Sequence, residues 1–105
     1  MDEILRKLRE IAELLQKGGE TRYAEQIEEV LRGTEVDLKA YLTSNELWGG
    51  SGSIADQALL YTRGSRRTIE KLLIELGELQ MNKGIVNVRI AMWTGAFKEW
   101  QRRDT

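Results

Sequence analysis

The sequence predicts an all-α fold, a compact single domain with a bundle of five or six helices. Three observations support this prediction. The 105 residues include no proline, and 41% of them are hydrophobic, which is typical of a globular domain. Apolar residues recur at spacings of three and four along most of the chain, as they do on one face of a helix. Ten glycines punctuate the chain, and several of them fall where these stripes end.

The first two helices are predicted to form an N-terminal hairpin over residues 1–33. Spacings of four, three and four between apolar residues indicate an amphipathic helix over about residues 2–17. This stripe consists of Ile4, Leu8, Ile11 and Leu15. A Gly-Gly pair ends the helix, Thr21 is expected to cap the next one, and Gly33 ends that helix in turn. The short connection makes the two helices antiparallel neighbours.

A third helix is predicted to begin at a capping box that Thr34 and Asp37 form. It would end at about Leu42 or Thr43. The stretch that follows, residues 44–53, is rich in glycine and serine and is expected to be irregular throughout. Such a loop is longer than most connections between the helices of a bundle, which usually take about two to eight residues.

The C-terminal helices are predicted over residues 53–103. Ser53 is a good N-cap, and the helix that it begins is expected to be interrupted at Gly64 and Ser65. The strongest apolar stripe of the chain follows over about residues 65–82, and the domain is expected to pack around this helix and the aromatic helix at the C-terminal end. This stripe consists of Ile69, Leu72, Leu73, Leu76 and Leu79.

The segment that follows carries two competing patterns. From Val86 to Ile90, apolar and polar residues alternate, which is typical of a strand. A longer set of apolar residues recurs at the helical spacings of four and three. This set consists of Val86, Ile90, Trp93, Phe97 and Trp100. Because the helical pattern is longer and no other strand is predicted to pair with this one, a helix over residues 86–100 is predicted.

The charge of the chain gives no indication of a nucleic-acid or membrane partner. Sixteen Lys and Arg against seventeen Asp and Glu leave a net charge of −1. Residues 1–50 are acidic overall and residues 51–105 are basic, so the two halves could attract each other or match a charged partner. No apolar run reaches the eighteen or so residues of a membrane span, and the first residues lack a secretory pattern. A cytoplasmic location is therefore expected.

Two missing residue types exclude several kinds of chemistry. The chain has no histidine and no cysteine. Disulfides, zinc–thiolate and histidine–metal sites, Ser–His or Cys–His nucleophiles and imidazole pH switches are therefore excluded. No cluster of acidic residues has the spacing of a calcium-binding loop. We predict no cofactor, no metal site and no enzymatic activity.

The glycine-rich loop at residues 46–56 is the best candidate for a functional site. It precedes a helix start, where backbone N–H groups can bind an anion, but it lacks the Lys-Ser/Thr ending of a P-loop. Glu46 and Asp56 flank it and could form an acid–base pair, or serve as a loop residue and a helix-capping residue. Trp48 could anchor the core or lie at an interface.

We predict that Glu46, Trp48 and Ser51 line a concave surface that a partner or ligand uses. Glycines in this loop allow backbone conformations that other residues avoid, and Trp48 supplies a large apolar group beside them. The full set of candidate binding residues consists of Glu46, Trp48, Gly49, Gly50, Ser51, Ser53 and Asp56.

A basic cluster formed by Arg63, Arg66 and Arg67, with Lys71 one turn further on, is the second candidate site. Such a cluster could contact nucleic acid, but four charges without interleaved aromatic residues are few for that role. Ion pairs with the acidic N-terminal half are the expected role, and no specific nucleic-acid partner is predicted.

The stretch from Ser44 to Gln57 resembles a signature in small bacterial helical proteins of uncharacterised function. Its centre is Leu-Trp-Gly-Gly-Ser-Gly-Ser, at residues 47–53. Later residues that fit the same resemblance are Gly84, Asn87, Arg89, Trp93, Phe97 and Trp100. Such proteins are loosely similar in build to the immunity partners of bacterial toxins. The resemblance implies a helical bacterial domain and transfers no catalytic residue.

These observations together predict a non-enzymatic interaction domain that binds a protein partner or itself. An immunity-like inhibitor, which would cover the active site of a bacterial toxin, is one specific form of that role. The alternative is a small-molecule or anion-binding domain that uses the loop at residues 46–56.

Overall fold

Seven helices lie in the part of the chain that the structure describes, and five of them have eight residues or more. The structure is a computed structural model that describes residues 2–49, 53–57 and 63–103, without the side chains of residues 56, 57 and 63–65. The helices are α1 (Asp2–Lys17), α2 (Thr21–Leu31), α3 (Glu35–Leu42), α4 (Asn45–Trp48), α5 (Ile54–Gln57), α6 (Arg63–Asn82) and α7 (Ile90–Arg103). No strand occurs in these three ranges, so the predicted all-α bundle is confirmed.

Helix α6 holds the centre of the bundle. One side of it packs against α1, which also packs against α2, and another side packs against α7. Ile69, Leu73 and Leu76 of α6 are buried, whereas Leu72 and Leu79 of the predicted stripe are half-buried. The prediction that this helix organises the core is confirmed. The Cα radius of gyration is 12.7 Å, as expected for a single domain of this length.

Two helices end in the same glycine motif. Gly19 after α1 and Gly84 after α6 have φ angles of +84° and +74°, a conformation that L side chains rarely adopt. The next residue in each case donates its backbone N–H to a carbonyl five residues earlier, at 2.8 Å from Glu20 and 2.9 Å from Ile85. These Schellman motifs confirm both predicted helix ends.

The predicted start of α3 is confirmed and that of α2 is shifted by one residue. Thr34 Oγ1 accepts the Asp37 N–H at 3.1 Å, and the Asp37 carboxylate accepts the Thr34 N–H at 3.3 Å, which completes the capping box. Thr21 is not the cap of α2 but its first helical residue, and Glu20 precedes it. The reason is that the Schellman motif of α1 already ends at Glu20, so α2 begins at once.

Helix α6 is longer than predicted. Gly64 and Ser65 were expected to interrupt a helix, but α6 begins at Arg63 and runs through both. Each such residue costs a helix only about 0.5–1 kcal/mol relative to alanine, which the burial of the α6 stripe offsets. The predicted end of the preceding helix, at residues 58–61, lies outside the described residues.

Helix α7 begins later than the predicted residue 86, at Ile90, and ends at Arg103. The described residues before it form no strand either. The Asn87 side chain accepts the backbone N–H groups of Arg89 at 2.9 Å and Ile90 at 3.0 Å. These bonds form a turn over residues 87–90, and α7 begins only at the last of these residues. Val86 therefore lies outside the helix and is half exposed instead of joining the buried stripe.

The loop at residues 44–53 is not irregular throughout, because Asn45–Trp48 form the single turn α4. Ser53 lies buried immediately before α5. Across the described residues, no helix is both long and apolar enough to cross a membrane.

Candidate interaction surface

The predicted loop site divides into a buried part and an exposed part. Trp48, Gly49 and Ser53 are buried, and the Trp48 side chain has no solvent exposure at all. Glu46, on the outer side of α4, is exposed. The members of the predicted set that lie outside the described residues are Gly50, Ser51 and the side chain of Asp56.

Trp48 is held in the core by a fully buried glutamine of α6. The Trp48 indole N–H donates to Gln80 Oε1 at 3.0 Å. Gln80 Nε2 donates in turn to the carbonyl oxygens of Leu42 at 2.8 Å and Ile85 at 3.1 Å. One side chain thus satisfies the indole and two backbone carbonyls, one at the last residue of α3 and one in the segment that follows α6.

The Gly49 carbonyl is a second buried junction. It accepts the indole N–H of Trp93 at 3.1 Å and the hydroxyl of Ser53 at 2.9 Å. A Cβ at Gly49 would overlap the backbone of Asn45, so only glycine fits there. Gly49 therefore joins the end of α4 to Trp93 of α7 and to the residue before α5. Trp48 is fully buried and bonded to α6, so the interpretation of this residue as a core anchor is confirmed.

Glu46 influences a buried tyrosine. The Tyr41 hydroxyl donates to Gln26 Oε1 at 3.1 Å. Burial raises the pKa of this hydroxyl well above its ordinary value, and the nearby negative charge of Glu46 raises it further. Glu46 thus has an electrostatic contact with the core, and its binding role stays a prediction.

The basic cluster lies at the start of α6. Arg67 and Lys71 are exposed and Arg66 is half exposed, while the Arg63 side chain lies outside the description. The backbone carbonyl of Arg67 accepts the side-chain amide of Gln101, so this part of α6 is joined to α7. Glu70, between these cations in sequence, is buried, which the sequence analysis did not anticipate.

A groove of about 500 Å³ between α1 and α6 is lined mainly by charged side chains. Lys7 of this groove contacts Glu75 at 3.0 Å and Glu10 at 3.3 Å. The hydrogen bond that the Lys7 ammonium donates to the Glu75 carboxylate is the main reason that the pKa of Lys7 is raised. Glu78, at the same groove, contacts Lys98 of α7 at 3.0 Å. These ion pairs connect α1 to α6 and α6 to α7, so the charged residues that form them have a structural role.

Helix α7 presents a second apolar side to solvent. Ile90, Trp93 and Phe97 are buried on the side that faces the core. On the opposite side, positions in the first half of the helix and in the turn before it are exposed and uncharged. We call this the outer face of α7, and it consists of Val88 in that turn and of Ala91, Met92 and Gly95.

Exposure on this outer face is large for apolar side chains. Val88 is 94% exposed and Met92 is 52% exposed, and the neighbouring Val86 is 51% exposed. A Cβ at Gly95 would have no heavy atom within 4 Å, so this glycine is not required by any packing inside the chain. Glycine within a helix costs about 1 kcal/mol relative to alanine.

Charged residues flank the outer face. Arg89 lies at its N-terminal end, and Glu99 continues the same line of positions at its C-terminal end. The Glu99 carboxylate accepts hydrogen bonds from Arg102 at 2.7 Å and Arg103 at 3.2 Å, and these, that of Arg102 above all, hold the pKa of this carboxyl below its usual range. An uncharged centre with a charged rim is the pattern of protein interfaces.

The outer face of α7 was not predicted, because in this segment only the aromatic stripe was interpreted as a helix face. The signal was present, since Val88, Met92 and Gly95 follow each other at spacings of four and three on the side opposite Trp93 and Phe97.

No group of three or more acidic side chains that could hold a metal ion occurs among the described residues.

Comparison with protein-family models, curated proteins and solved structures finds no match for this chain. The resemblance to small bacterial proteins with a Trp-Gly-Gly loop therefore stays a prediction.

Proposed function

We propose that this chain is a non-enzymatic protein-interaction domain that binds its partner through the outer face of α7. The observation that carries the proposal is a helix with apolar residues on two opposite sides, of which the chain itself covers one. A helix at the surface of a globular domain ordinarily carries polar residues on its outer side. Met92 of α7 is 52% exposed, and Val88, in the turn immediately before the helix, is 94% exposed.

Other surfaces of the domain give less support for an interaction role. The charges of the α1–α6 groove are used in contacts between helices, as with Lys7 and Glu75. The described loop residues Trp48, Gly49 and Ser53 are buried in hydrogen-bonded positions. On the outer face of α7, by contrast, exposed apolar side chains and an unexplained glycine lie together, and such patches mark interaction sites.

The proposal is tested by affinity capture from a lysate of the native cells, with quantitative comparison of two matched variants. Val88→Asp places a charge on the outer face at its most exposed side chain, whereas Val36→Asp places the same charge at a 77% exposed valine of α3. We expect a captured protein, whether another protein or a second copy, to be lost with Val88→Asp and retained with Val36→Asp. Equal capture by both variants would contradict the proposal.

The narrower role of a toxin inhibitor is a separate hypothesis. It derives from the resemblance of the loop at residues 44–57, and the interaction surface proposed here lies on another element. Co-expression with a toxin encoded beside this chain tests it. We expect protection of the cell by the unchanged chain and its loss with Val88→Asp if the outer face of α7 covers the toxin.

A further inference from the structure

We infer that a groove between the end of α3 and the segment after α6 binds an acidic segment of the partner protein. The groove has a volume of about 420 Å³. Its lining includes Lys39, Ala40 and Thr43 on one element and Lys83, Ile85 and Val86 on the other. We call it the α3 groove.

The α3 groove has a positive charge that its own lining does not neutralise. No Asp or Glu is among the described residues that line it. Lys83 is exposed and has no ion pair with the described part of the chain. Lys39 Nζ lies 3.9 Å from Glu35 Oε1, and both side chains are more than half exposed, so this pair contributes little. In the α1–α6 groove, by contrast, Lys7 contacts two carboxylates.

The backbone at these two helix ends does not require the lysines. A lysine near the end of a helix often stabilises carbonyl groups that lack a helical partner. Here the Leu42 carbonyl accepts the Gln80 amide at 2.8 Å, and the Thr43 carbonyl accepts the Asn87 amide at 3.0 Å. After α6, the Ile85 N–H donates to the Gln80 carbonyl at 2.9 Å. Both ammonium groups are therefore available to an anion from outside the chain.

The positive charge extends along the sequence on one side of the groove. Residues 79–98 contain no Asp or Glu, and this is the longest such stretch in the chain. They contain the cations Lys83, Arg89 and Lys98, of which Lys98 contacts Glu78. A surface of one sign attracts a partner of the opposite sign and disfavours partners of its own sign.

The apolar part of the lining favours a peptide segment over an inorganic ion. Ala40 is exposed, Val86 is 51% exposed and Ile85 is half-buried. A segment with alternating acidic and apolar side chains meets both parts of the groove, whereas an inorganic ion contacts the cations alone. Val86 also lies two residues before Val88 of the outer face. The inference rests on the proposed function, because one partner is taken to cover both surfaces.

Two peptides that differ in charge alone test the inference by two-dimensional NMR of the isotope-labelled chain. Both have blocked ends, and their sequences are Glu-Leu-Glu-Leu-Glu and Gln-Leu-Gln-Leu-Gln. We expect the acidic peptide to shift the amide signals of Lys39, Thr43 and Val86 and the neutral peptide to leave them fixed. Equal shifts with both peptides, or no shift of these signals at millimolar acidic peptide, would overturn the inference.

The lysines are tested by a double substitution with a matched control. Lys39→Gln with Lys83→Gln should weaken binding of the acidic peptide by at least about fivefold. Arg9→Gln with Lys17→Gln changes the net charge equally at two exposed positions of α1 and should bind as the unchanged chain does. Equal weakening by both double variants would show an effect of net charge alone and overturn the inference.

Lysate capture separates this inference from the proposed function. A partner that is lost with Val88→Asp but captured unchanged by the chain with Lys39→Gln and Lys83→Gln would overturn the inference and leave the proposed function intact. Binding to phosphatidylserine vesicles through the same lysines, without binding of the acidic peptide, would show a membrane ligand and also overturn it. Val36, the control position in that capture, is not among the residues that line the α3 groove.

Discussion

Among single residues, Gln80 has the most demanding environment. Its side chain is fully buried, and it holds Trp48 and two backbone carbonyls at the same time. A buried polar group that loses its partner costs about 1–3 kcal/mol, and here one substitution would leave three such groups. The position of Trp48 therefore depends on a polar side chain that lies within an apolar core.

We expect Gln80→Leu to lower the free energy of unfolding by about 2–4 kcal/mol, because leucine has a similar size but cannot accept the Trp48 indole N–H. Chemical denaturation followed by tryptophan fluorescence measures this. Gln16→Leu is the control on the exposed side of α1 and should change stability by less than about 0.5 kcal/mol. Equal effects of the two substitutions would show that the buried network is not needed.

Tyr41 gives a prediction on pH. Its pKa is raised in the folded chain, so the folded state keeps its proton where the unfolded state, with a pKa of about 10, loses it. This contribution to stability is complete below about pH 10 and is lost as the pH rises above that value. We therefore expect Tyr41→Phe to lose less stability than the unchanged chain between neutral and strongly alkaline pH.

Thermal melts over that pH range measure the effect, with Tyr23→Phe on α2 as the control. Because Glu46 adds to the raised pKa of Tyr41, Glu46→Gln should shift the alkaline loss in the same direction as Tyr41→Phe, but by less. Identical pH profiles for Tyr41→Phe and the unchanged chain would contradict the prediction.

Two glycines inside helices have opposite environments. Gly77 of α6 faces α7, and a Cβ there would overlap the Thr94 methyl group and come within 3.3 Å of the Trp48 ring. Thr94 is fixed by its hydroxyl, which donates to the Ile90 carbonyl at 2.9 Å. Gly95 of α7 faces open space. The first glycine lets two helices approach, and the second has no such role within one chain.

We therefore expect Gly77→Ala to destabilise the domain by about 1–3 kcal/mol and Gly95→Ala to stabilise the monomer by up to about 1 kcal/mol. Denaturant melts at low protein concentration measure both. Thr94→Ser removes the overlapping methyl group and should recover part of the loss in Gly77→Ala. A loss of stability in Gly95→Ala under these conditions would show that Gly95 has a structural role inside the chain.

Helix boundaries were predictable where a local sequence signal, such as a capping box or a pair of glycines after an apolar stripe, marks them. The bounds of α1 follow from the stripe that ends at Leu15 and from the glycines after it, and the start of α3 follows from the Thr34–Asp37 capping box. The start of α7 was not predictable from spacing, because the Asn87 side chain competes for the backbone N–H groups of the first turn. A period of three and four residues carries no information on such a contact.

The candidate site was less predictable than the fold. Trp48 in a glycine-rich loop is compatible with a core or an interface, and only the position of Gln80, 32 residues later, decides for the core. The outer face of α7 could have been found from Val88, Met92 and Gly95. Its exposure could not, because exposure depends on which side of the helix α6 covers.

For the molecule as a whole, the opposite net charges of the two halves of the sequence do not predict which ion pairs form. The acidic N-terminal half was expected to pair with the basic C-terminal half. The described pair between α1 and α6 has the reverse polarity, with Lys7 from the first half and Glu75 from the second. Between α6 and α7, Lys98 and Glu78 both come from the second half. Local geometry at the helix contacts decides these pairs.

The central claim is that a partner protein binds the outer face of α7. Two-dimensional NMR spectra of the isotope-labelled chain, recorded with and without the protein that affinity capture yields, test it most directly. We predict that the amide signals of Val88, Met92 and Gly95 shift when the partner is added while those of the α1–α2 hairpin stay fixed. Shifts confined to the hairpin, with those of the outer face unchanged, would contradict the account.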